Sequence, residues 1–140
     1  MKGLPTLIRV HRWELEEKRR QLSDREGLRD DFIRELRRLE ESLIENQKAA
    51  AFSPEVASTY GQYALQVIER RAVLEQSIEE AQGAVNEALD IVHVAFQELK
   101  KFETAQERIE ARLLKEENRR EQIELDELGL NMFRRKNADT

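Results

Sequence analysis

Two histidines, His11 and His93, are the only imidazoles in the chain, and no cysteine accompanies them. Imidazole is the side chain best suited to moving protons near neutral pH or to holding a metal. The absence of cysteine removes thiolate catalysis, disulfides and Cys-based zinc sites together, and fits a reducing compartment. A helical metal site needs a Glu-x-x-His element and facing carboxylates to complete it, and neither histidine has that spacing. The 29 acidic residues are abundant, but they lie interleaved with 24 cations rather than paired in an apolar setting. No Gly-rich phosphate loop, GxSxG or HExxH occurs, so the motifs that would carry phosphoryl or acyl transfer or metal-assisted hydrolysis are missing. The reading is therefore no catalytic residue, no metal and no cofactor, and a protein that is not an enzyme.

The composition explains why. Charged residues make up 38% of the 140 and aromatics 6%, with two prolines and five glycines. That is too few large apolar side chains and turn formers for a globular core, and it suits long helices. Net charge is −5. Residues 1–50 carry 12 basic and 11 acidic groups, residues 51–103 carry 4 and 9, and residues 104–140 carry 8 and 9. No segment is a basic block, which argues against nucleic acid as a partner. The opening MKGLPTLIRVHRW is interrupted by Pro5, Arg9, His11 and Arg12 and does not read as a signal peptide. No run approaches the roughly 20 apolar residues of a membrane span. A soluble, cytoplasmic chain with no membrane insertion is expected.

What positions these residues is a repeat of 3.5. Stepping four then three from Leu4 to Ala50 meets 14 positions, nine of them apolar, against about five or six expected from the 39% average. The same stepping from Tyr60 to Leu130 meets 21 positions, 16 of them apolar. So sustained a heptad pattern signals a coiled coil rather than disorder. Acid-first pairs at Glu14/Lys18, Glu16/Arg20, Asp30/Arg34 and Glu116/Arg120 add a few tenths of a kcal/mol each.

One break is convincing. In AAAFSPEVAS, Ser53 suits an N-cap and Pro54 the first helical position, whereas inside a helix Pro54 would cost about 3 kcal/mol. The expected architecture is all-α: a long antiparallel two-helix coiled-coil hairpin with an overhanging C-terminal helix. It forms one domain over 1–140, with helix one at about 4–50, a turn at about 51–53 and helix two at about 54–133. The arms are then roughly 70 and 120 Å long. A fold near residue 67 is the rival geometry, and a continuous helix kinked at Pro54 is another, since the heptad frame runs through Pro54 unchanged. In the preferred register, Ala95, Ala88 and Ala81 oppose Ile8, Leu15 and Leu22, small against large, and His11 meets His93. The overhang keeps a stripe, Ile109, Leu113, Ile123 and Leu130, that lacks an internal partner and so predicts an external one.

Three cations, Lys18, Arg25 and Arg29, sit in the first stripe. Either their long stems snorkel out of a thin seam, or they fix register by pairing across it, Arg29 with Glu75 and Arg25 with Glu79 and Glu80. Trp13 lies off the seam, as a contact residue or folded over its own helix. Tyr60, Tyr63 and Phe52 gather near the tip, as a cap or as a contact patch. The tail after Gly129 reads as a frayed helix end whose cations suit its dipole.

The chain resembles the flagellar FliJ family of bacterial type III export. The resemblance rests on the opening L-x-x-L-I-R-V-H-R-W-x-L-x-E-K-R-R, on Tyr60-x-x-Tyr63 at the start of helix two, and on the closing ER-x-x-x-x-L-L-x-E-x-x-R-x-E-Q-x-x-x-D-E. It implies a stalk-like, non-enzymatic component of flagellum biogenesis and motility. Such a component binds the export ATPase ring and the cytoplasmic domain of the export gate protein at the flagellar base, and some substrate chaperones. By that resemblance Arg9, Arg12, Trp13, Arg112, Arg119 and Arg120 are candidates for the ATPase contact. Leu43, Asn46, Tyr60, Tyr63 and Val67 are candidates for the gate contact. A self-associating structural coiled coil, or the equivalent component of an injectisome, is the alternative.

Overall fold

The computed structural model describes residues 2–138. It contains two helices, α1 (Leu4–Phe52) and α2 (Pro54–Ala138), and no strand among the described residues. Strong helix formers fill both, and only Ser53 interrupts them. Its N–H donates to the Ala49 carbonyl at 3.0 Å, as a last turn of α1 requires, while its own carbonyl accepts from the Ala57 N–H at 3.0 Å. Ser53 thus closes one helix and opens the next. Pro54 follows where no donor is needed, and Glu55 places negative charge at the positive end of α2. At the far end, Arg135 and Lys136 face the negative pole. Gly3 starts α1, its carbonyl accepting from Leu7 N–H at 3.0 Å. Pro5, inside that first turn, forfeits no hydrogen bond.

The chain divides into two units. The larger, Arg12–Phe96, is an antiparallel helix pair. Its order is set by Ser42 against Tyr63, Glu35 against Arg70, Glu40 against Arg71 and Arg29 against Gln82. Leu15, Val67, Leu74, Ala81 and Val85 are its buried apolar side chains, and Leu74, at 1% exposure, is the most enclosed. The second unit comprises Met1–His11 and Gln97–Thr140. Leu4, Ile8 and Leu99 are buried there, and the His11 ring stacks on Phe102 with centroids 4.7 Å apart and planes 24° from parallel. From 110 to 138 every described side chain is exposed.

The register differs from the expected one at some pairs: Glu35 meets Arg70 close to expectation, whereas Glu40 reaches further along α2, to Arg71. Ser42 meets Tyr63 close to expectation, but Arg29 reaches Gln82 rather than Glu75. His11 meets Phe102 rather than His93, and His93 is exposed. Two effects act in one direction. The reversal is confined to Ser53, later than a turn over 51–53, and each residue of delay moves partners two residues along α2. Side chains also lean toward the N-terminus of their own helix. In an antiparallel pair these leans are opposed, so long side chains find partners further along α2 than their Cα positions suggest. Local pairing differs too. Glu16 pairs with Arg19, Glu17 with Arg20 and Asp31 with Arg34, one residue short of the expected spacing, while Glu116 and Arg120 pair at 3.5 Å as expected.

Candidate functional site

The surfaces follow from which heptad positions find a partner. Within Arg12–Phe96 the expected stripe is buried or half-buried almost throughout, from Leu15 and Leu22 to Ala50 on α1 and from Tyr60 to Ala95 on α2. Arg71 is the α2 cation in that stripe. It emerges to bond Glu40 across the pair at 3.0 Å and Glu75 along its own helix at 3.4 Å, all three side chains about half exposed. Arg29 is held by Asp30 at 3.1 Å and Gln82 at 3.2 Å. Both cations thus leave the seam at its edge, where water still reaches them.

Of the candidates near the turn, Leu43, Asn46, Tyr60 and Tyr63 are half-buried. The Tyr63 hydroxyl and Ser42 Oγ lie 2.7 Å apart across the pair. Asn46 Nδ2 donates to the Ser42 carbonyl one turn back, at 2.8 Å. Together these polar groups tie the two helices near their reversal. Val67 is 3% exposed, so a partner could touch it only by parting the helices. The more accessible apolar groups here are Phe52, at 91% exposure, and Leu65 and Ile68 on an outer face of α2. The heptad count could not select them, because they lie off the stripe. A second apolar spacing of three, Leu65 to Ile68, was the available signal.

The other candidates fall in both units, and each is exposed. Arg12 and Trp13 belong to Arg12–Phe96, and Trp13 is 65% exposed. Arg9, Arg112, Arg119 and Arg120 belong to the other unit. There the heptad stripe continues past Ile109 as Leu113, Ile123 and Leu130, but these side chains are 62%, 46% and 55% exposed. Leu125, Leu128, Met132 and Phe133 are also open, so the apolar character of this segment extends around the helix. Arg120 bonds Glu116 on the same face.

Among the described residues, no group of three His, Asp or Glu side chains is placed to hold a metal ion. The grooves are shallow and solvent-facing, as between Leu4, Pro5, Gln106 and Ile109. No helix of the described residues is long and apolar enough to cross a membrane.

No curated protein and no solved structure matches the chain. The family model described as flagellar FliJ protein matches residues 1–138, the full length of both helices. With a two-helix all-α architecture and a sequence match that spans it, the chain belongs to the flagellar FliJ family and is a flagellar export-related protein.

Proposed function

We propose that this protein is a cytoplasmic coupling factor of the flagellar type III export apparatus, a stalk that engages the export ATPase ring and the export gate. The observation that carries the reading is the segment 110–138. It keeps a heptad stripe, yet all of its described side chains are exposed. An α-helix of nearly thirty residues with its apolar positions in water is stabilised by burial against another protein. Arg120 occupies a position of that stripe and Arg112 and Arg119 border it, and these cations supply orientation and association rate more than affinity. In this reading the segment overhangs the pairing with α1 and enters the ATPase ring. Arg9, Arg12 and Trp13 are further contacts for the ATPase. The face around Leu43, Asn46, Tyr60 and Tyr63, with Val67 beneath it, meets the gate. Substrate chaperones are further partners, and the protein itself performs no catalysis.

The test is ATP turnover by the export ATPase of the same organism with and without this chain, alongside ring assembly followed by light scattering. A rise in both is expected. No change in either, with an ATPase active on its own, would refute the stalk and leave a structural, self-associating coiled coil.

A further inference from the structure

Lys18 and Arg25 are the two seam cations that the pairings above leave out. They occupy equivalent heptad positions one repeat apart, about 10 Å along α1. Neither has a carboxylate within ion-pair distance among the described residues, although the chain carries 29 acidic groups. Lys18 is half-buried and Arg25 exposed, so their charged heads stay at the edge of the pair, within reach of a partner. Beside them lies a groove of about 100 Å³. Ala84 and Ala88, both half-buried, and Ile91, 47% exposed, line it from α2, and Lys18, Gln21 and Arg25 line it from α1. The small alanines hold the groove open.

We propose that this groove is a docking site for an acidic amphipathic helix of a partner protein, whose apolar ridge rests on Ala84, Ala88 and Ile91 while two carboxylates seven residues apart meet Lys18 and Arg25. The volume is below the roughly 300 Å³ at which small-molecule sites begin, but it accepts side chains from a helix lying along it. The charge pattern selects the occupant. Residues 12–96 hold 12 basic and 18 acidic groups, a net −6, so a phosphate backbone or an anionic membrane is repelled by the unit as a whole. A helix needs negative charge only at two local points. Glu87 also lines the groove and excludes a third carboxylate opposite it, which adds specificity through repulsion. Helix-in-groove recognition by periodic anchors has this form. The proposal is independent of the export ATPase reading.

The test uses the full chain and fluorescein-labelled helical peptides of about 20 residues. They carry two glutamates seven residues apart and a Leu/Ile ridge, in four versions with the ridge shifted by one residue each. Anisotropy is read at about 0.15 M salt, where exposed charges are already screened beyond roughly 8 Å. At least one peptide should bind, and its Glu→Gln counterpart should bind at least ten-fold more weakly. Lys18→Glu with Arg25→Glu should abolish binding, and a peptide with lysines in place of the glutamates should restore it. Should the reversed chain lose its helical circular dichroism, Lys18→Gln with Arg25→Gln takes its place and should weaken binding at least five-fold. Failure of all four peptides, equal affinity for glutamate and glutamine versions, or indifference to both double variants would overturn the proposal. So would binding of anionic vesicles or single-stranded DNA that depends on the same two cations.

Discussion

Replacing Gly27, Gly61 and Gly83 by alanine should stabilise the protein. All three are in helix interiors, none has positive φ, and a Cβ built at each meets nothing within 4 Å. The substitution therefore changes only backbone freedom and helix propensity, worth about 0.8–1 kcal/mol per site. Gly61 lies 22 residues from Gly83 on α2 and far from the level of Gly27, so its effect should add to theirs within a few tenths of a kcal/mol. Gly27 and Gly83 flank the Arg29–Gln82 bond across the pair, and the Gly27→Ala/Gly83→Ala double variant measures any coupling between them. The triple variant should gain about 2–3 kcal/mol. With a urea m-value of about 1–3 kcal/mol/M, that moves the unfolding midpoint up by about 1 M or more, and each single variant contributes roughly a third. The assay is urea and thermal unfolding followed by helical circular dichroism, at two protein concentrations to exclude association. A single variant that unfolds earlier than wild type would refute the reasoning. It would mean that a neighbouring backbone, from this chain or another copy, approaches that glycine too closely for a methyl group.

Other outcomes follow from the division between paired and open heptad positions. Leu74→Ala should cost about 2–5 kcal/mol, because the 1% exposed side chain leaves a gap that a two-helix seam closes only partly. Ile123→Ala and Leu130→Ala should each stay within about 0.5 kcal/mol in urea unfolding, since their side chains are already in water. Removing the Arg71–Glu40 pair by Glu40→Gln should cost no more than about 1 kcal/mol, and less in high salt, because both groups are about half exposed. Arg119→Glu with Arg120→Glu, and separately Trp13→Ala, should leave helix content unchanged. Each should reduce stimulation of the export ATPase by ten-fold or more in a turnover assay, as expected for charged and aromatic anchors.

The sequence by itself determined the helices, their approximate faces and the place of the break. Heptad periodicity is a local property, because 3.5-residue spacing puts Leu15, Leu74 and Val85 on inward faces whatever they pack against. Ser53-Pro54 is equally local, since a cap and a missing donor act within one turn. The family motifs were also legible as residue strings. What only the tertiary structure decided is which face meets which. Which partner a side chain finds depends on where the chain reverses and on how far the side chain leans along its helix, and a delay at the reversal shifts every partner in Arg12–Phe96 by the same amount. Lys18 and Arg25 showed the same limit. Sequence leaves snorkelling open for both, and for Arg25 also pairing with Glu79 and Glu80; the fold gives neither a carboxylate, leaves Arg25 exposed and Lys18 half-buried, and places both beside a groove over Ala84 and Ala88. Likewise, Leu113, Ile123 and Leu130 carry the same periodic signal as Leu74, yet they are exposed and it is buried. Periodicity identifies a face able to be buried, and burial requires a second surface, which is a property of the fold and of its partners.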